Sequence, residues 1–125
     1  MSRIFLAIAA IFGGLSVGAG AFATHALRER LSERSLEIFE TAARYQMYHA
    51  LALLFVALLL MQEKISQSTL VAAGWSFIIG IFFFSGSLYV LSLTSIKVLG
   101  AIAPLGGAAF IVGWLAIAIA AFSLN

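Results

Sequence analysis

The chain has two histidines, and their imidazoles are the side chains whose protonation changes near neutral pH. His25 stands in "GAFATHAL", where a long apolar run gives way to "RERLSERS". His49 closes "RYQMYH", with Tyr45 at i−4 and Gln46 at i−3 on one helical face. A hairpin joining the two segments would bring both rings to one membrane face. There His25, Arg44, Tyr45, Gln46 and His49, with Glu40 beside them, make a candidate polar cluster for a proton, a lipid headgroup or a metal. Two nitrogen ligands in a chain without Cys or Asp fall short of a four-coordinate zinc set, so neither a metal nor a cofactor is expected. The plainer reading has His25 bonding the last carbonyls of its own helix, where the dipole favours a cation, and His49 bonding a neighbouring helix.

A second polar feature is "FSGSLYVLSLT", in which Ser85, Tyr89 and Ser92 follow i, i+4, i+7 and share a face beside Gly86. This is either a groove for a small ligand or a row of interhelical hydrogen bonds, each worth about 0.6 kcal/mol. No GxSxG, HExxH or P-loop pattern occurs, so the sequence does not read as an enzyme.

The elements that must position these residues follow from composition. Of the 125 residues, 63% are hydrophobic and 10% charged, with a mean hydropathy of +1.12. Soluble domains carry about 25% charged residues, so here lipid must cover the surface. Four apolar stretches, approximately 4–24, 45–61, 70–94 and 99–124, predict an all-α, four-helix transmembrane bundle in one integral membrane domain. Arg3, the following apolar run and the small residues at Ala21–Ala23 imitate a signal peptide, but the run is long enough for a retained first span. Scattered basic residues with a net charge of +2 leave no nucleic-acid footprint.

Between the first two spans lies an amphipathic segment. Ser32 suits an N-cap, Leu31 and Leu36 a hydrophobic staple, and Glu33 the first turn of a helix. If this helix runs unbroken into the second span, its first turns stand outside the hydrocarbon or lie along the headgroups, and no Asp, Glu, Lys or Arg is expected inside any span. Tyr45, Tyr48 and Trp75 then read as interfacial anchors, and Phe82 to Phe84 as lipid-facing or packed on neighbours. Counting Arg28, Arg30, Arg34, Arg44 and Lys97 on one side against Arg3 and Lys64 on the other places both termini outside. Gly14 and Gly18 form a GxxxG, with Ser16, Gly20 and Thr24 in an adjacent small row, and Gly106, Gly107 and Gly113 lie in the fourth span; all are expected to pack helices within the bundle. Pro104 either kinks the fourth helix or occupies its first turn.

Three blocks in order, "GAFATHAL", "FETAARYQMYHALALL" and "FSGSLYVLSLT" followed by "APLGG", resemble the YgdD/YwdK family of small bacterial membrane proteins, to which animal transmembrane protein 256 is related. The family usually has Gly and Ala where this chain has Ala23 and Thr24. The resemblance implies four transmembrane helices in an inner, plasma or organellar membrane and carries no settled activity. Together these readings favour a non-enzymatic multi-pass protein of the bacterial inner membrane that packs against other membrane proteins, or against a second copy, as an accessory or assembly component. The alternative is a small-ligand or lipid-binding bundle, or a minimal transporter, using the His25/His49 end and the Ser85, Tyr89, Ser92 face.

Overall fold

The computed structural model describes residues 1–124. They form four helices, α1 (Ser2–Leu27), α2 (Glu33–Leu59), α3 (Gln67–Thr94) and α4 (Leu99–Ala121), each long and apolar enough to cross a bilayer. Short turns join them, so the bundle runs up and down, with α1 packed most extensively on α2 and α3 on α4. The core includes Phe5 of α1, Leu53 and Val56 of α2, and Leu70 and Phe77 of α3, all fully buried.

Local sequence explains where the helices start and stop. Ser32 has extended ψ and its hydroxyl accepts from the Ser35 N–H at 3.1 Å, so α2 begins on a side-chain cap. Leu31 and Leu36 pack over a small cluster of Ala23, Leu27 and Phe39, which fixes the angle at which the chain enters α2. At the end of α3, Ser95 takes the left-handed conformation (φ 59°) and returns its N–H to the Leu91 carbonyl. That conformation costs a residue with a Cβ about 1–2 kcal/mol and stops the helix. Pro104 is the sixth residue of α4, so it lies beyond the first turn, inside the helix. Both α1 and α3 contain π-helical turns, at Ala23–Leu27 and Ile81–Gly86.

α2 is the hub, with half of its most apolar window buried against 17% for that of α1. Its alanines let neighbours approach: the Ser16 hydroxyl on α1 donates to the Ala43 carbonyl at 2.6 Å, and the Ser85 hydroxyl on α3 donates to the Ala42 carbonyl at 2.8 Å. The Gln46 amide reaches the Phe12 carbonyl at 2.9 Å. These bonds fix an antiparallel register in which Gln46, the middle residue of α2, lies level with the middle of α1 and of α3.

That register sets where the charged residues of α2 lie along the bundle. The helix that carries the second apolar stretch starts well before Tyr45: α2 runs unbroken from Glu33, antiparallel to α1 along its length, so Glu40 and Arg44 lie inside α2 and not before it. Tyr45 and Tyr48 are consequently residues of the middle of α2 and not of its first turns. α2 is also the least apolar of the four, with a hydropathy of 1.3 against 2.0–2.1 for the others.

The glycines divide in the same way. An added Cβ at Gly106 would lie 2.2 Å from the Phe84 backbone nitrogen, and one at Gly113 would lie 2.5 Å from the Phe77 ring. Both sit at α3–α4 contacts, whereas Gly107 meets the Phe84 ring only at an ordinary 3.9 Å. Gly14 and Gly18 have nothing within 4 Å of a built Cβ, so this GxxxG packs no helix of its own chain and faces outward on α1. The intramolecular close approaches missed from sequence are Gly74, which receives the Phe5 ring, and Gly80, which receives the Phe110 ring.

Candidate functional site

The candidate cluster is centred on Gln46. The Phe12 carbonyl can only accept, so the Gln46 Nε2 must face it and the Oε1 faces the other way. That oxygen accepts from the Tyr89 hydroxyl at 2.7 Å, and one side chain thereby ties α1 to α3 through α2. Tyr89 also packs edge-on against Phe39 at 4.9 Å between ring centroids. The Ser92 hydroxyl turns back to the Tyr89 carbonyl at 2.7 Å. The three hydroxyls of the candidate groove are therefore all committed: Ser85 to α2, Tyr89 to Gln46, and Ser92 to its own helix. A hollow of about 160 Å³ remains beside Gln46, Ser85 and Tyr89, walled by Phe12, Leu15 and Phe82.

His49 is buried one turn further along α2. Its Nδ1 lies 2.8 Å from the Tyr45 carbonyl and its Nε2 lies 3.0 Å from the Trp114 indole nitrogen of α4. A carbonyl only accepts and an indole N–H only donates, so the ring is held as the neutral tautomer with its hydrogen on Nδ1. Both nitrogens are spent on structure. The imidazole also stacks on Phe110, with centroids 3.5 Å apart and planes within 5°. Tyr45, Phe84, Pro104, Gly107 and Ile111 complete a groove of about 560 Å³ around His49 and Trp114, open at the side of the bundle.

His25 is not brought to this cluster. It is exposed in the π turn that ends α1, while the α1–α2 register puts His49 level with about residue 9, roughly 24 Å away along the axis at 1.5 Å per residue. The error came from treating His49 as a residue entering its helix. Beside His25, the Ala23 methyl is fully buried and the Thr24 hydroxyl donates to the Gly20 carbonyl. Replacing His25 by Ala should change stability by no more than about 0.5 kcal/mol. Replacing His49 by Phe keeps a ring on Phe110 but orphans the Trp114 N–H, and should cost about 0.6–1.7 kcal/mol. Thermal unfolding in detergent, followed by Trp emission, checks both.

Arg44 belongs to a different surface. It projects with Glu40 into a cleft of about 350 Å³ between α1 and α2, whose α1 wall is Ser16, Gly20 and Thr24 and whose α2 wall includes Ala43 and Met47. Its guanidinium donates to the Thr41 hydroxyl at 3.2 Å. No group of three or more His, Cys, Asp or Glu is placed to hold a metal ion among the described residues.

A family model described as "Protein of unknown function (DUF423)" matches residues 19–107, which contain all of α2 and α3. The chain belongs to this family. DUF423 membership agrees with its relatives, three of which span almost the whole chain. The UPF0382 membrane protein of Staphylococcus epidermidis is 45% identical over 118 residues, 94% of each chain. The UPF0382 membrane protein YwdK of Bacillus subtilis is 46% identical over 120 residues, 95% of this chain and 96% of its own. SSP2132 of Staphylococcus saprophyticus is 43% identical over 122 residues, 98% and 99%. No solved structure matches. Four apolar helices and relatives named as bacterial membrane proteins make this DUF423 chain a small multi-pass membrane protein.

Proposed function

We propose that this protein is a non-enzymatic component of the bacterial inner membrane that works by packing against other membrane proteins, as an accessory or assembly subunit. One observation carries the reading: every buried side-chain nitrogen or oxygen among the described residues already has a hydrogen-bond partner within the chain. The interior polar groups hold helices together, and the outward faces are what the bundle offers. The outward side of α1, with Gly14 and Gly18 uncovered, allows a foreign helix to approach closely. Lys and Arg in the turns and end turns of the helices support termini that face out: with Arg44 left out as a residue of the middle of α2, Arg28, Arg30, Arg34 and Lys97 still outnumber Arg3 and Lys64.

Gentle extraction from native membranes, followed by light scattering and mass spectrometry, tests this. A particle containing a second membrane protein in fixed ratio is expected, and recovery only as this chain in detergent would overturn the reading. The ligand-binding alternative draws on the open groove beside His49 and Trp114. It requires a lipid or small apolar molecule to co-purify in stoichiometric amount, and its Ser85, Tyr89, Ser92 donors are already engaged.

A further inference from the structure

Arg44 lies two residues from the middle of α2, about 3 Å along the axis, and Glu40 lies one turn beyond it, about 9 Å from the middle. With a bilayer centred on the middle of the bundle, a hydrocarbon core extending about 15 Å either side of that centre would enclose both charges. Arg44 is exposed and Glu40 half-buried, and both line the cleft between α1 and α2. The interface is about 12 Å further along than the Arg44 Cα, beyond easy snorkelling reach. Among the described residues the one ion pair is Arg34–Glu37, near the start of α2, so neither Arg44 nor Glu40 makes an ion-pair contact within the chain. An ionisable group at this depth implies a partner, and the question is what supplies the opposite charge.

The cleft answers in its own composition. It presents a cation and an anion one turn apart, and its α1 wall of Ser16, Gly20 and Thr24 leaves room for an incoming ridge. Glu33 and Glu37 lie nearer the start of α2, and Glu29 and Glu63 lie in turns, which leaves Glu40 as the carboxylate at matching depth. We propose that a second copy of this chain covers the cleft. The two copies meet cleft to cleft about a two-fold axis along the membrane normal, with Glu40 of each pairing with Arg44 of the other. The axial offset between the paired residues is one turn, about 6 Å, which an arginine side chain spans. Such an interface is isologous, and each copy satisfies the other by the same contacts. It uses a different face from the outward Gly14 and Gly18, so the accessory role does not depend on it.

The natural chain has no Cys, which makes single-cysteine crosslinking clean. Full-length protein carrying Met47→Cys at the cleft, oxidised in native membranes, is expected to give a covalent dimer of twice 13.3 kDa. Val112→Cys, exposed on α4, serves as the remote control. In the Met47→Cys background, Glu40→Arg and Arg44→Glu should each reduce the dimer about tenfold. Co-expressing the two reversed chains under different tags should restore a mixed dimer, because every contact across the axis is then opposite in charge. Glu40→Gln and Arg44→Gln are read alongside, so that a reversal variant that fails to accumulate leaves the test intact; each should cut the dimer several-fold. No crosslink at Met47→Cys, a crosslink indifferent to all four substitutions, or a crosslink to a different protein would overturn the second-copy assignment. Failure of the mixed pair to form a dimer would do the same, since pairing within one chain predicts no rescue. None of these results bears on co-purification with a partner, which tests the accessory role separately.

Discussion

Gly106→Ala is expected to be the most damaging single-methyl addition in the fourth helix. The new Cβ would stand 2.2 Å from the Phe84 nitrogen and 2.7 Å from the Phe83 carbonyl carbon, both backbone atoms that cannot rotate away. Nor can α3 easily retreat, because Phe84 lies in the π turn and the next residue, Ser85, is tethered to the Ala42 carbonyl. Overpacking of this kind costs about 1–3 kcal/mol and occasionally more, and contact with backbone places Gly106 at the upper end. Gly14→Ala and Gly18→Ala meet nothing within 4 Å in their own chain and should leave its intrinsic stability within about 0.5 kcal/mol of the parent. Unfolding by heat or SDS in detergent micelles measures all three. A Gly106→Ala protein as stable as the parent would show that the α3–α4 contact is looser than described.

Gln46→Leu should have the second-largest effect, since it breaks two interhelical links at once. The amide's bonds to the Phe12 carbonyl and from the Tyr89 hydroxyl disappear, and the hydroxyl is left among Phe12, Leu15 and Phe82. Side-chain hydrogen bonds in membranes average about 0.6 kcal/mol with a maximum near 1.7, and an orphaned donor adds its own penalty, so a loss of about 1–3 kcal/mol is expected. The double variant Gln46→Leu with Tyr89→Phe removes the orphan. It should be more stable than the sum of the two single losses predicts. Strict additivity in that cycle would mean the two side chains do not interact.

The four helices could be read from sequence because composition forces them: 63% hydrophobic residues leave no surface suited to water. Where helices touch was less legible. A GxxxG advertises a close approach without saying to whom, and Gly14 and Gly18 turned out to face away from the bundle, while isolated Gly74 and Gly80 receive phenylalanine rings. Periodicity placed Tyr45, Gln46 and His49 near one another on α2, but not their partners. Phe12 offers a backbone carbonyl that any residue could supply, and Trp114 lies 65 residues from His49. Glu33, Arg34, Glu37, Glu40 and Arg44 look like a solvated surface when no register is available, so the sequence does not show how far α2 runs alongside α1. Two serine hydroxyls on Ala42 and Ala43 supply that register, and they carry no signature in the sequence.

The antiparallel pairing of α1 with α2 also bears on how the chain enters the membrane. An arginine at the centre of a helix adds about 2.5–3.5 kcal/mol to the free energy of insertion, and α2 bears Arg44 close to its centre in the least apolar of the four segments. A helix of that kind is a poor candidate for partitioning alone. The turn Arg28–Ser32 is short enough for α1, with a hydropathy of 2.1, to enter together with α2 as a hairpin. The Ser16–Ala43 and Gln46–Phe12 bonds can then form while lipid is first being met. Entry of the two helices together, with the first escorting the second, is therefore the expected order of events.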